Sequence, residues 1–145
     1  MTMEARGDLR LTIVDRRAEL CIDNPSARNA ISHRMMTQFP PIVDRTAASK
    51  ASVLFIRGMG DRAFWAGGDL RDVRGPLMGR GAEMCDWMTL CLNRLSELPL
   101  FVFGFVQGAA LGGGAELLTV CDWIVAEEGA KIGFVQASLG VSTGW

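Results

Sequence analysis

Two glycine-rich stretches decide the fold of this chain: GDRAFWAGGDLRD at residues 60–72 and VQGAALGGGAELLTVCD at residues 106–122. Each stretch follows a short apolar run, and each opens into residues that suit a helix. Glycine lets a backbone turn tightly and come close to a ligand, because it carries no side chain. The pair therefore predicts two similar turns, each leaving a buried strand, and raises the question of which ligand needs both.

The flanking segments predict alternating strands and helices. Two almost wholly apolar runs read as buried strands that feed the glycine turns, and an amphipathic stretch between them, ended by Pro99, predicts a helix. This alternation favours an α/β architecture. The expected strands are 9–14 and 18–22, joined as a hairpin, then 52–58 and 100–108, with two more short strands within 122–134, and the expected helix is 83–98.

The segment after the hairpin changes from turn chemistry to a helical period. Asn24 and Asn29 are typical turn and cap residues, and the apolar residues between 31 and 39 recur at the spacing of a helix face. Pro40 and Pro41 follow, and neither can donate a backbone hydrogen bond. We therefore expect the prolines to kink or stop this helix.

Composition excludes several classes of function. The 145 residues suffice for one domain, with 49% hydrophobic residues and a formal net charge of -1. The scattered arginines form no basic patch, so we expect no nucleic-acid partner. Four widely spaced cysteines and a single histidine make a metal site improbable, and we expect none. Free thiols, no signal peptide and no long apolar run predict a cytoplasmic protein without a membrane partner.

The two turns offer backbone N–H groups, and two such donors that converge on one point form an oxyanion hole. A thioester carbonyl that becomes an enolate would suit this site. The chemistry requires Gly68 and Gly113 to face each other. The alternative is that the glycines serve only tight turns and close helix–strand packing. A phosphate loop is excluded, because no Gly-Lys-Ser, Gly-Lys-Thr or G-x-G-x-x-G pattern is present.

Four motifs in register carry a resemblance to a known family: NPSARNAIS, GDRAFWAGGDL, GAALGGGAELLTVCD and KIGFVQASLGV. Together they resemble the crotonase superfamily, the relatives of enoyl-CoA hydratase and isomerase that act on acyl-CoA thioesters. The resemblance implies a spiral of ββα units and an oxyanion hole made by the N–H groups of Gly68 and Gly113. It also implies that Arg28, Ala66 and Gly67 lie near the coenzyme A, which enters as part of the substrate, so no separate cofactor is expected.

The resemblance further implies that residues 1–145 form the N-terminal core of a crotonase-like domain. The last part of the spiral, and the C-terminal helices through which such proteins trimerise, would lie beyond this core. We therefore expect the complete protein to be a homo-oligomer, either a trimer or a dimer of trimers. A core without those elements is expected to expose apolar surface and to self-associate.

The acidic residues direct the choice of reaction. Hydratases of this family use two glutamates; Glu116 matches the first, whereas Gln136 stands at the position of the second. A glutamine cannot exchange protons near neutral pH, so two-acid hydration lacks a partner. The run IGFVQASLGVSTGW resembles the branch that decarboxylates ethylmalonyl- and methylmalonyl-CoA. A second carboxylate about 4 Å from the substrate's own would cost roughly 4 kcal/mol at an effective dielectric of about 20, and Gln136 avoids that cost.

Other interpretations stay open for these residues and for the chain. A hydratase or isomerase could work through Glu116 alone, or Glu116 could only begin a helix, where a carboxylate is favourable. The chain could also be a non-catalytic acyl-CoA binder or an assembly partner. Trp65 is larger than the residue usual at its position and is expected to narrow the acyl pocket, whereas His33 is expected to be structural.

Overall fold

The computed structural model describes residues 7–69, 81–140 and 142–144. Within these ranges the strands are β1 (Asp8–Val14), β2 (Arg17–Asp23), β3 (Val53–Gly58), β4 (Ala63–Trp65), β5 (Phe101–Val106), β6 (Ala109–Leu111), β7 (Trp123–Ala126) and β8 (Lys131–Gly133). The helices are α1 (His33–Ala47), α2 (Gly81–Ser96) and α3 (Gly113–Leu118), with 3-10 turns at Pro25–Ala27 and Gln136–Leu139.

The strands divide between two sheets in the order of a spiral. One sheet has the order β1-β2-β3-β5-β7, and the other has the order β4-β6-β8. After the antiparallel β1–β2 hairpin, every pairing is parallel. Each later repeat sends its first strand to the large sheet and its second strand to the small sheet. The predicted α/β spiral of ββα units is confirmed.

The register of β3 and β5 brings the two glycine stretches together. These strands are parallel neighbours, with Val53 opposite Phe101 and Arg57 opposite Phe105. Their carboxyl ends therefore meet at one edge of the large sheet, and the chain leaves both strands there. The Gln107 side chain connects the two exits, because its Nε2 donates a hydrogen bond of 2.6 Å to the carbonyl of Gly58.

Of the two expected effects of Pro40 and Pro41, to kink or to stop the first helix, the second is wrong. Both prolines lie inside α1, which continues to Ala47. Each proline removes one helical hydrogen bond, and a proline in a helix interior costs about 3 kcal/mol. The side chains of Phe39, Ile42 and Val43 are buried around the prolines, and burial of such a side chain contributes about 1.5–3 kcal/mol. Packing of this face offsets the lost backbone bonds.

The sheet ends at an uncovered apolar strand. All four residues of β7 are exposed, and the exposed fraction of the Trp123 side chain is 63%. Apolar residues near β8 are also exposed, including Phe134 at 54% and Leu139 at 65%. A cluster of this kind marks a surface that another chain or segment covers. In the ranges that the structure describes, no helix is long and apolar enough to cross a membrane.

Candidate active site

The first glycine turn follows β4 and is held along one side by residues 28–31. The Ala66 N–H donates to the Arg28 carbonyl at 3.1 Å, and the Ile31 N–H donates to the Gly67 carbonyl at 2.9 Å. The Asp69 N–H donates to the Ile31 carbonyl, also at 2.9 Å. Ile31 and Gly68 therefore form a parallel β-bridge. In such a bridge Ile31 bonds to the residues on either side of Gly68, and not to Gly68 itself. The N–H of Gly68 therefore points to the opposite side.

Gly68 lies beside open space, and its N–H has no partner in the part of the chain that the structure describes. Among the described residues, no acceptor receives a hydrogen bond from it, and Gly68 is only partly buried. A Cβ at this position would meet nothing within 4 Å. The space on the Cβ side of Gly68 can therefore admit part of a ligand. The helix-like run that follows in the sequence, residues 70–80, lies outside the described residues.

The second glycine turn joins β6 to α3. Gly112 has φ 57° and ψ -121°, a conformation that side chains disfavour. Its N–H donates to the Gly133 carbonyl of β8, and its carbonyl accepts the N–H of Glu116 at 3.0 Å. Gly113 then begins the helix, so its N–H has no partner within that helix. The turn thus carries a second backbone donor at the same edge of the fold.

The two turns touch. Gly67 has φ 91°, and a Cβ on it would lie 3.3 Å from the Leu111 carbonyl oxygen and 3.6 Å from the Gly113 nitrogen. The Gly68 nitrogen is two covalent bonds from the Gly67 Cα, so the nitrogens of Gly68 and Gly113 lie within roughly 8 Å of each other. Gly67 is therefore required both by its backbone angle and by this close approach.

Glu116 is a buried acid on α3, beside the second turn. Its exposed fraction is 4%, and its Oε1 accepts the Gly144 N–H at 2.9 Å. A buried carboxyl group needs such partners, because burial removes it from water. Glu116 is thus held by both its backbone and its side chain next to the Gly113 donor.

Gln136 also lies against the second glycine turn. It begins the 3-10 turn after β8, and its Cδ and Nε2 would each lie 3.9 Å from a Cβ on Gly112. Its Oε1 is buried and accepts no hydrogen bond from the described residues. A buried polar atom without a partner is costly, so it calls for an explanation such as a ligand. The second turn therefore has both an acid and a carboxamide beside it.

The three residues expected near coenzyme A lie around the first turn. The side chain of Arg28 is exposed, and within the described ranges it forms no hydrogen bond or ion pair. Ala66 is partly buried, and Gly67 is buried in the contact between the turns. Arg28 is thus free to meet an anionic group, whereas Gly67 acts through the backbone.

Trp65 does not line an open pocket, contrary to the expectation that it narrows one. Its side chain is completely buried and stacks on Phe39, with ring centroids 6.2 Å apart. Its Nε1 donates to the Gly67 carbonyl at 2.9 Å. The large ring fills the core between β4 and α1 and helps to fix the glycine turn.

His33 lies at the start of α1, beside a cavity of about 130 Å³ between α1 and α2.

Three of the four cysteines are poor nucleophiles. Burial raises the pKa of Cys121 to about 12, and it also raises the pKa of Cys21 and Cys91. Their thiols therefore stay protonated near neutral pH, and the thiolate is the reactive form. The groups next to the second glycine turn are the Gly113 N–H, Glu116 and Gln136.

Asn29 has a larger structural role than its sequence pattern indicates. It was expected only to be a turn or cap residue, but it is buried, and its Nδ2 donates to the carbonyls of Met59 and Ala63. The signal for this role is its place in the NPSARNAIS motif, five residues after Asn24. Local sequence cannot reveal the partners, because they lie 30 and 34 residues further along the chain.

Comparisons with known proteins identify relatives in sequence and in fold. The chain is 39% identical over 130 residues to an ethylmalonyl-CoA decarboxylase of Xenopus tropicalis, covering 88% of this chain and 43% of the relative. The corresponding protein of Xenopus laevis is 38% identical, with the same coverage. The fold resembles an enoyl-CoA hydratase from Bacillus anthracis at a TM-score of 0.88, with 23% identity, over 94% of this chain and 54% of that one.

The chain thus spans less than half the length of these curated relatives. The profile of the Enoyl-CoA hydratase/isomerase family matches residues 17–145, which is most of the chain. The matched part contains both glycine turns, Glu116 and Gln136. On this evidence the chain belongs to the enoyl-CoA hydratase/isomerase family of the crotonase superfamily.

Proposed function

We propose that this protein is a lyase that decarboxylates a short malonyl-type CoA thioester. The observation that carries the proposal is the contact between the two glycine turns, in which Gly68 lies close to Gly113 and its N–H has no acceptor among residues 7–69, 81–140 and 142–144. Two N–H donors at one thioester oxygen would stabilise the enolate that forms when CO2 leaves. The similarity to relatives named ethylmalonyl-CoA decarboxylase supports this reaction over others.

The proposed reaction breaks the bond between the α-carbon and the carboxylate of the substrate. Its electron pair stays on the α-carbon and spreads into the thioester carbonyl, whose oxygen accepts hydrogen bonds from Gly68 and Gly113. CO2 leaves, and the α-carbon then takes a proton. Glu116 is the buried acid beside the turn, and we assign it the delivery of this proton. To deliver it, Glu116 must already carry this proton when the substrate binds, at which point an ionised carboxylate would also repel the carboxylate of the substrate.

Gln136 suits a substrate that already carries a carboxylate. A carboxamide adds no charge, so it avoids the repulsion of about 4 kcal/mol estimated for two carboxylates about 4 Å apart at an effective dielectric of about 20. Gln136 has no internal hydrogen-bond partner for its buried Oε1 in the described part of the chain. Oε1 can only accept a hydrogen bond, so the group that would meet the departing carboxylate is the donor Nε2. Coenzyme A enters with the substrate, and Arg28 would meet one of its phosphates.

A second candidate is hydration or isomerisation of an enoyl thioester by Glu116 alone. The observation that favours it is the burial of Glu116 next to the second turn, where its side chain accepts the Gly144 N–H. One positioned carboxylate can move a proton between two carbons of a substrate. This reaction would use the same backbone donors but would release no CO2.

Two single substitutions, one at Gln136 and one at Glu116, distinguish decarboxylation from hydration or isomerisation. In a decarboxylase, Gln136→Glu should slow CO2 release from ethylmalonyl- or methylmalonyl-CoA, since it adds a carboxylate beside the one that leaves. Glu116→Gln should change the fate of the enolate more than the rate of CO2 loss, because the backbone donors drive the cleavage. CO2 release and hydration of crotonyl-CoA are measured side by side on the protein and on both variants.

The opposite pattern would support the second candidate. There, Glu116→Gln should lower hydration or isomerisation by about 100-fold or more, the usual scale for a positioned proton-transfer group. If the unaltered protein releases no CO2 from either malonyl-type substrate and readily hydrates crotonyl-CoA, decarboxylation is wrong. Binding of CoA thioesters without any turnover would instead support a non-catalytic acyl-CoA binder.

We also propose that the protein self-associates, within a cytoplasmic setting. The support is the exposed apolar strand β7, with Trp123 and Val125 on its surface at 63% and 51% exposure. Water contact with such a cluster is unfavourable, so a second copy should cover it. Sedimentation velocity at physiological salt should detect species larger than the monomer. A single monomeric species at all concentrations would contradict this proposal.

A further inference from the structure

We infer that Asn29 is a positioning residue, whose carboxamide sets the aim of the Gly68 N–H. The inference rests on the proposed function, in which Gly68 is an oxyanion donor. Asn29 does not touch the reacting atoms. It acts through the 28–31 segment, which is hydrogen-bonded along the first glycine turn.

Asn29 is locked by its backbone and its side chain. It is buried and has φ 57°, a left-handed conformation that asparagine tolerates better than most residues. Its Nδ2 donates to the carbonyls of Met59 at 2.9 Å and Ala63 at 2.7 Å. Its Oδ1 accepts the Asn24 N–H at 2.9 Å. One carboxamide therefore joins three separate segments of the chain.

The bonds from this segment continue along the turn and skip Gly68. After the bond from Asn29 to Ala63, the next bond is the one that the Ala66 N–H donates to the Arg28 carbonyl. Ile31 then donates its N–H to the Gly67 carbonyl and accepts the Asp69 N–H. Gly68 lies between the two residues bonded to Ile31, so its own N–H projects away from the segment. Displacement of Asn29 would move the bonds next to Gly68 and turn its donor.

The same contact region is too crowded to adjust freely. A Cβ on Gly58 would lie 2.6 Å from the Asn29 Nδ2 and 2.6 Å from the Ala63 carbonyl oxygen. Backbone and carboxamide are thus already packed closely at the base of the turn. A change in the carboxamide should therefore be transmitted to the turn.

Two substitutions at this position separate its roles. Asn29→Asp keeps the size of the side chain and the acceptor Oδ1, but it replaces Nδ2, the donor of two bonds, by one oxygen that faces the carbonyl oxygens of Met59 and Ala63. Asn29→Gly keeps the left-handed backbone at no steric cost and removes the carboxamide. The control is Thr46→Val, which removes another buried hydrogen bond, from Thr46 Oγ1 to the Ile42 carbonyl, near the far end of α1.

The experiment combines amide hydrogen exchange with steady-state kinetics of CO2 release from ethylmalonyl-CoA. In both Asn29 variants the amides of Ile31, Ala66 and Asp69 should exchange at least about 10-fold faster, while those of β3 and β5 change less. We expect kcat to fall about 10- to 100-fold, since small misplacement of a catalytic group has effects of that size. KM should change by less than about threefold, because the donor acts mainly in the transition state.

A purely structural role would give a different result. Exchange would then accelerate equally throughout the fold, or kcat would fall no further than it does in Thr46→Val, and either result overturns the inference. If the unaltered protein turns over no acyl-CoA, the proposed function fails. The exchange comparison between Asn29→Gly and Thr46→Val still decides whether Asn29 positions the turn.

Discussion

Gly114→Ala is expected to unfold the protein or to lower its free energy of unfolding by more than about 3 kcal/mol. A Cβ on Gly114 would lie 2.0 Å from the Trp65 carbonyl oxygen and 2.9 Å from its carbonyl carbon. These backbone atoms belong to β4, in which the side chain of Trp65 is completely buried. They cannot move without disturbing the core, and native proteins have only about 5–15 kcal/mol of total stability.

The matched control is Gly68→Ala, which adds the same methyl group in the other turn. There the Cβ would meet nothing within 4 Å. Its effect on stability should remain within about 0.5 kcal/mol, as for an ordinary surface change. Urea unfolding of both variants gives the comparison. Equal midpoints for Gly114→Ala and the unaltered protein would mean that α3 and β4 are not packed as closely as described.

Gly68→Pro is expected to lower the rate of CO2 release by about 100- to 1,000-fold, the usual cost of removing one oxyanion donor. Proline has no N–H, so the substitution deletes the proposed donor itself. It breaks no internal hydrogen bond of the described residues, because Ile31 bonds the Gly67 carbonyl and the Asp69 N–H.

Gly68→Ala again provides the reference, since it keeps the N–H while adding a side chain. The loss of turnover in Gly68→Pro should greatly exceed the loss in Gly68→Ala, after correction for the folded fraction of each. The measurement is kcat/KM for ethylmalonyl-CoA together with the urea midpoint. Similar turnover in the two folded variants would remove Gly68 from the oxyanion hole.

The local pattern of the sequence was enough to predict the order of most elements. Buried strands are short apolar runs, so β3 and β5 were identified close to their observed bounds. The three-residue strands β4 and β6 were read as parts of the glycine turns, because so short a run carries no periodicity of its own. They form through pairing with each other in the second sheet.

The site was harder to predict than the fold, because its contacts join distant parts of the chain. The glycine stretches indicated backbone donors, but their approach depends on the register of β3 against β5. Asn29 bonds carbonyls more than 25 residues away, and α1 continues through Pro40 because of the face it buries. Such effects are set by tertiary packing, which local propensity does not contain.

The most direct test of the account is a crystal structure of the protein with a bound malonyl-type CoA thioester analogue that cannot lose CO2. The quantity to measure is the distance from the thioester carbonyl oxygen to the backbone nitrogens of Gly68 and Gly113. We predict about 3 Å to both nitrogens, the distance at which both N–H groups donate to one oxygen. A thioester oxygen bonded to only one nitrogen, or bound away from the two turns, would contradict the proposed mechanism.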